Sequence, residues 1–168
     1  MCYQLVVVSA LTLSEIRSML PPGVRADALD MPRLTAFRRL FRGAQTAAHL
    51  RVGRCACRLL PERFHGSHSD EAALRARYRR LEVPRDAVIT ALDRHRHGAF
   101  DGEIVPPGAL HAFVAEHARN AGPALYALGF GIEDDLPPVP ATCSERQLAD
   151  TREGDAWLVE DGAVRVSR

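Results

Sequence analysis

The first long apolar run in the chain is the segment from Tyr3 to Ser9, which reads Tyr-Gln-Leu-Val-Val-Val-Ser. A continuous run rich in β-branched residues is typical of a strand whose two faces are both buried. This segment therefore predicts a central strand of a sheet. Thr12 and Glu15 follow with the spacing of a capping box, which predicts a helix that ends before Pro21.

Apolar residues at helical spacing recur through the rest of the chain. Asp30 predicts the N-cap of a second helix, and Pro84 predicts the start of a later one. Four predicted helices have apolar faces, formed by Leu34, Phe37, Leu40 and Phe41; by Leu74, Tyr78 and Leu81; by Val88, Ala91, Leu92 and His95; and by Leu110, Phe113, Val114 and His117. Together with the helix capped by Thr12, this pattern predicts about five helices.

Two further segments have the composition of strands. Ala48 to Val52 and Ala124 to Phe130 are rich in apolar residues and short enough to be single strands. After a bend at Gly53, the segment from Cys55 to Leu60 is predicted to continue the first of them.

The last part of the chain contains a proline-rich stretch and a turn dipeptide. Residues 136–140 predict an extended crossing of the surface. Asp161-Gly162 favours a type I′ turn, so residues 156–167 predict a C-terminal β-hairpin. Strands that are both adjacent and separated by helices indicate an α+β fold with a mixed or antiparallel sheet. With 168 residues, 46% of them hydrophobic, residues 1–168 are predicted to form a single globular domain.

Composition limits the chemistry and the compartment. All 22 basic residues are arginines, and with 21 acidic residues they give a formal net charge of +1. The lack of lysine excludes a P-loop or a pyridoxal Schiff base formed by this chain. The start of the chain lacks the basic region of a signal peptide, and its apolar run is too short to span a bilayer. We therefore expect a cytoplasmic protein that does not insert into membranes and keeps its cysteines reduced.

Two of the four cysteines, Cys55 and Cys57, are separated by one residue. On a regular strand they would point to the same face, where they could bind one metal ion or act as a redox pair. Pairing with the first strand would bring Cys2 alongside and form a three-thiolate corner, which suits zinc or, as a second choice, iron. The flanking Arg54 and Arg58 favour the thiolate form. The simpler interpretation is that these cysteines are small buried hydrophobic residues.

A fourth ligand is expected just downstream of the Cys-x-Cys motif. His65 and His68 are three residues apart in a glycine-containing loop, and His49 and Cys143 are alternatives. Four protein ligands would make a closed structural site. Three would leave a position for an activated water and a reaction on a small molecule.

The same cysteines carry a resemblance to other proteins. Met1-Cys2-Tyr3 before an apolar strand, and Leu50-Arg-Val-Gly53 leading into Cys55-Ala-Cys57, resemble a group of uncharacterised bacterial proteins that begin Met-Cys-Tyr and have a Gly-x-Cys-x-Cys strand end. That group has small residues or an aromatic around the motif, where this chain has arginines. The resemblance implies that Cys2, Cys55 and Cys57 belong together.

Two alternative functions compete with the metal site. Residues 1–100 are basic and residues 101–168 are acidic. The arginine-rich helix faces in 33–42 and 75–80 predict a nucleic-acid or protein-binding module, although the acidic half could instead neutralise them. The other alternative is a thiol redox enzyme or, if Met1 is removed, an enzyme that uses Cys2 as an N-terminal nucleophile. A metal site is the preferred prediction, and nucleic-acid binding is less favoured.

Overall fold

Six strands form one mixed sheet. The computed structural model describes residues 2–53, 56–60, 71–80, 82–96, 105, 108–131, 138–151 and 157–168. The strands are β1 (Cys2–Ser9), β2 (Arg25–Ala28), β3 (Thr46–Arg51), β4 (Ala124–Gly131), β5 (Cys143–Gln147) and β6 (Gly162–Ser167). Their order across the sheet is β2-β3-β1-β4-β6-β5. Neighbouring strands run antiparallel, except that β5 and β6 run parallel.

Five α-helices and two short 3-10 helices accompany the sheet in the described ranges. The α-helices are α1 (Leu13–Ser18), α2 (Met31–Phe37), α3 (Glu71–Arg80), α4 (Arg85–Arg96) and α5 (Ala109–Ala121). The 3-10 helices are Cys57–Leu59 and Leu148–Asp150. The predicted α+β class is confirmed, with its mixed sheet and about five helices. None of these helices is long and apolar enough to cross a membrane.

β1 is the central strand that the sequence predicts. It pairs with β3 on one side and β4 on the other, so that Leu5 lies opposite both Leu50 and Leu128. Every residue from Tyr3 to Ser9 is buried. Because successive side chains of a strand point to opposite faces, burial of both faces requires the continuous apolar run of this segment.

The sheet separates two apolar clusters. On the larger, called the first core face, Tyr3, Leu5 and Val7 pack with helix residues Ile16, Tyr78, Leu92, Phe113 and Val114. On the smaller, called the second core face, Val6 and Val8 pack with Leu34, Phe37 and Phe41. Most of the helices therefore contribute to the first core face, and α2 with the turn after it contributes to the second.

The two predicted helix caps are confirmed. Thr12 is the N-cap of α1, where its hydroxyl accepts a hydrogen bond from the Glu15 N–H and its own N–H donates to the Glu15 carboxylate. Asp30 is the N-cap of α2, and its carboxylate accepts a hydrogen bond from the Arg33 N–H at 2.9 Å. Both caps satisfy backbone donors that the first turn of a helix leaves unpaired.

The second helix is shorter than predicted. α2 ends at Phe37, before the predicted Leu40 and Phe41. In the turn that follows, the Arg38 Nε donates to the Ala44 carbonyl at 3.0 Å. Phe41 is nevertheless buried on the second core face, so its apolar character reflects its position in the core and not a longer helix.

The prediction that a strand continues through Cys55 to Leu60 is wrong in the part that the structure describes. Gly53 has a φ of +64°, a left-handed conformation that favours glycine, and the chain turns there. The 3-10 helix follows, in which the Leu60 N–H donates to the Cys57 carbonyl at 3.3 Å. Cys57 therefore does not lie on a regular strand, which removes the reason for expecting both thiols on one strand face.

The predicted C-terminal hairpin is also wrong, and the turn lies one residue earlier than predicted, because Gly162 lacks the positive φ that a type I′ turn at Asp161-Gly162 requires. The Gly162 N–H donates to the Val159 carbonyl at 3.1 Å, and Asp161 has a φ of +55°. β6 then pairs with β4 and β5, not with the residues before the turn. Both edges of β6 are therefore occupied, and Trp157 and Leu158 pack into the first core face and not against β6.

The proline-rich crossing predicted at 136–140 is described from Pro138 onward. Residues 138–140 form neither helix nor strand, as expected where proline removes backbone donors. Val139 packs against the second core face. This segment therefore shares with α2 the covering of that face.

Candidate functional site

Cys57 lies against the first strand. Its Sγ accepts a hydrogen bond from the backbone N–H of Tyr3 at 3.3 Å. The Ala56 N–H donates in turn to the Tyr3 carbonyl at 3.0 Å. These two bonds dock the end of the Cys-x-Cys motif on β1, at the residue that follows Cys2 in the chain.

The local sequence explains this docking. β3 ends at Arg51, and Val52 is buried on the first core face. The turn at Gly53 then lets the chain return towards β1. Ala56 and Cys57 are 0% and 6% exposed. Their small side chains permit the close approach of backbones that hydrogen bonding to Tyr3 requires.

Aromatic side chains surround Tyr3 beside this contact. Phe130 of β4 stands edge-on to the Tyr3 ring with 5.1 Å between centroids, and Tyr78 of α3 stacks on Phe130 at 6.4 Å. The Tyr3 hydroxyl donates to the Glu160 Oε2 at 3.1 Å. Residues from α3, β4 and the segment before β6 therefore fix the position of Tyr3, and with it the start of β1.

The N–H···S contact is compatible with two states of the sulfur. A thiol is a weak acceptor, so the contact can form without ionisation. Hydrogen bonds donated to a thiolate stabilise it, and the thiolate is the form that binds metals. In metal centres, bonds of this kind orient the ligand and tune the metal. The hydrogen bond therefore fits both a buried thiol and a thiolate ligand, and the metal site stays a prediction.

The other predicted ligands are described less completely. Cys55, His65 and His68 lie outside the described residues. Cys2 lies in β1, at the register position opposite Gly131 of β4. Within the described ranges, no three histidine, cysteine, aspartate or glutamate side chains are grouped to hold a metal ion.

The alternative fourth ligands, His49 and Cys143, are on the other side of the sheet. His49 lies directly opposite Val6, and opposed residues in antiparallel strands share a face. Val6 belongs to the second core face, against which Cys143 also packs, whereas Cys57 belongs to the first. Neither residue can therefore share a metal ion with Cys57.

A buried serine–histidine–tyrosine network lies elsewhere in the core and was not predicted. The Ser9 Oγ is 2.8 Å from the His117 Nε2, and the His117 Nδ1 is 2.7 Å from the Tyr126 hydroxyl. The Leu11 N–H also donates to the Ser9 Oγ, at 3.0 Å. The sequence places His117 on an apolar helix face, but its partners lie on two strands whose positions only the fold determines.

Burial determines the charge state of this network. It lowers the pKa of His117 to about 4 and raises the pKa of Tyr126. The neutral imidazole has one donor and one acceptor nitrogen, so it can donate to one hydroxyl and accept from the other. The Ser9–His117 distance would suit a nucleophile and its base. However, Ser9 and His117 are both 0% exposed, so no substrate reaches them and the network belongs to the core.

The arginine-rich faces make contacts within the protein. The Arg38 Nε caps the turn after α2 through the Ala44 carbonyl. On α3, Arg75 pairs with Glu71 at 2.7 Å, a spacing of four residues that stabilises exposed helices. Such contacts are typical of solvated helix faces, and nucleic-acid binding stays a prediction.

Comparison of the chain with known protein families, with curated proteins and with solved structures finds no match. The resemblance to proteins that begin Met-Cys-Tyr therefore stays a prediction.

Proposed function

We propose that the protein binds a transition metal ion, zinc or iron, through the thiolates of Cys2, Cys55 and Cys57 and the imidazole of His65 or His68. One observation carries the proposal: the Tyr3 N–H donates to the Cys57 Sγ at 3.3 Å. It supports a common site because it puts one sulfur of the Cys-x-Cys motif beside the residue that follows Cys2.

Chain connectivity supports the convergence of the three thiols. The Cα atoms of Cys2 and Tyr3 are about 3.8 Å apart, as in any trans peptide. Cys55 is two residues from Cys57, within a reach of roughly 7 Å along the chain. Sulfur ligands of one zinc ion lie about 2.3 Å from it, so these separations are short enough for one ion. Because successive side chains of a strand alternate between faces, the proposed site also requires residue 2, at the end of β1, to depart from the alternation that puts Tyr3 on the first core face.

The number of protein ligands would decide what the metal does. With a histidine as fourth ligand the site is closed, and the metal stabilises the fold by joining the start of β1 to the segment after β3. With three protein ligands, the fourth position holds a water whose pKa the metal lowers, and hydrolysis of a small molecule becomes available.

Elemental analysis by mass spectrometry of protein purified without an affinity tag tests the proposal. We expect near-stoichiometric zinc or iron in the wild-type protein and none in a Cys55→Ser/Cys57→Ser double variant. Cys143→Ser is the matched control, since Cys143 packs against the second core face and should not affect metal content.

Thermal unfolding of each variant shows whether loss of metal accompanies loss of the fold. The single variant Cys55→Ser leaves the buried Cys57 intact, so it separates the loss of a ligand from damage to the core. A wild-type protein without metal would contradict the proposal. Equal metal content in the wild type and the double variant would contradict it as well.

A further inference from the structure

A cavity of about 310 Å³ lies on the second core face, away from the thiol site. Val6 of β1 with Ala127 and Gly129 of β4 forms its sheet wall, Phe37 of α2 forms a second wall, and residues 138–141 form a third. The volume is near the lower end of the roughly 300–1,000 Å³ found for ligand pockets. The cavity therefore suits a small molecule.

Small residues create this space. Ala127 presents only a methyl group to the cavity, and Gly129 has no side chain. Larger residues at these two positions would fill the cavity. Empty apolar space destabilises a fold, because the lining atoms lose their packing partners. A ligand with an apolar body would restore those contacts.

Two charged residues, Arg33 and Asp161, line the same cavity. The Asp161 Oδ1 accepts a hydrogen bond from the Phe130 N–H at 3.3 Å, which holds the turn before β6 against β4. Arg33 is half-buried in the first turn of α2, where the Asp30 cap holds its backbone N–H. A guanidinium has five donors in a planar fork, a geometry that matches a carboxylate.

We propose that this cavity binds a small apolar carboxylic acid as its anion. The carboxylate contacts the Arg33 guanidinium, and the apolar body lies against Val6, Phe37 and Ala127. The proposal does not depend on a metal, because Cys57 packs on the first core face and the cavity lies on the second.

Titration with three probes of the same shape tests the proposal by NMR of ¹⁵N-labelled protein. The probes are phenylacetate, phenylacetamide and 2-phenylethylammonium, which carry a negative, a neutral and a positive polar end. We expect saturable binding of phenylacetate, with shifts of the Ala127 and Gly129 amide signals. The neutral and cationic probes should bind at least about tenfold more weakly than phenylacetate, because they cannot form the bidentate ion pair.

Three variants assign the binding to the cavity. Arg33→Gln should lower phenylacetate affinity about tenfold and leave phenylacetamide affinity unchanged, since the ion pair with the ligand is lost and the apolar walls stay. Arg39→Gln is the matched control, because Arg39 is exposed and does not line the cavity. Ala127→Leu should abolish binding of both probes by filling the space.

The proposal would be overturned if phenylacetate showed no saturable binding, or if the Arg33 and Arg39 variants bound it with equal affinity. It would also be overturned if the ammonium probe bound more tightly than phenylacetate, because that result would assign the polar contact to Asp161. The Arg33→Gln comparison decides the matter even if Ala127→Leu fails to fold, because the Asp30 cap binds the backbone N–H of residue 33, which the substitution keeps.

Discussion

Polar side chains buried in the core of this protein are of two kinds. Ser9, His117 and Tyr126 satisfy one another through short hydrogen bonds. Gln4, in contrast, is 0% exposed, and among the described residues neither atom of its amide has a hydrogen-bond partner. A buried polar group with a partner costs little free energy, whereas one without a partner costs its full desolvation. Substitutions at the two places should therefore have opposite effects.

The free energy of unfolding should depend on pH through His117. Its pKa is about 4 in the folded protein against an ordinary value of 6.5. Between these values the unfolded chain binds more protons, so stability is complete above pH 6.5 and falls as the pH drops towards 4. A difference of this size corresponds to about 3 kcal/mol. Urea unfolding across this pH range measures it.

The control for this prediction is a variant that lacks the His117 imidazole. His117→Leu removes the titrating group and should flatten the pH dependence, although loss of the network lowers stability at every pH. An unchanged slope in the His117→Leu protein would show that other groups cause the acid sensitivity.

Replacement of Gln4 by methionine should stabilise the protein. Methionine has a similar length and shape, and it removes an amide that is desolvated without compensation. We expect the free energy of unfolding at neutral pH to rise by about 1–2 kcal/mol, as measured by urea unfolding. Gln147→Met is the control, because Gln147 is exposed on β5 and its replacement should change stability by less than about 0.5 kcal/mol. A less stable Gln4→Met protein would mean that the amide makes a favourable contact.

At the scale of elements, the sequence predicts those whose apolar pattern is imposed by burial. β1 and β4 are apolar because both of their faces are covered, and α5 has one apolar face because it covers the sheet. β2 and β5 were not predicted because they are edge strands. β5 reads Cys-Ser-Glu-Arg-Gln and is largely exposed, so no alternation distinguishes it from a loop.

Pairing between elements is the part that local patterns do not determine. The chain does turn near Asp161, but not in the predicted type I′ turn, and the partners of β6 are strands remote in sequence. The same limit applies to the candidate site. Pairing of two strands was expected to bring the Cys-x-Cys motif to the first strand. The structure instead brings Cys57 there in a 3-10 helix, next to a hydrogen bond from the Ala56 N–H to the carbonyl of Tyr3, 53 positions away.

At the scale of the whole molecule, the start of β1 is a junction. Tyr3 contacts the 3-10 helix through its backbone, β4 through Phe130, and the segment before β6 through Glu160. A metal bound beside Tyr3 would thus join segments from the beginning, middle and end of the chain. The cavity lies mainly on the other face of the sheet, but Phe130, which packs against Tyr3, also lines it, so this residue of β4 connects the two sites.

If the proposed metal is bound, its removal should therefore destabilise the entire fold. A metal that binds the folded state alone stabilises it by about 2.7 kcal/mol when its free concentration is one hundred times the dissociation constant. For a chain of this size, that corresponds to a fall in Tm of roughly 5–10 °C on chelation. Differential scanning calorimetry with and without a chelator measures the shift.

Chelation should also increase alkylation of Cys57, which is 6% exposed, while the partly exposed Cys143 reacts equally in both samples.

The Cys55→Ser/Cys57→Ser variant separates this effect from other actions of the chelator. Without the thiol ligands there is no metal to remove, so its Tm should be the same with and without chelator. It should lie at or below the Tm of the chelated wild type, because serine at the buried position 57 also disturbs the core. An equal fall in Tm in both proteins would mean that the chelator acts elsewhere. An unchanged Tm in the wild type would mean that Cys57 and its hydrogen bond to Tyr3 serve packing alone.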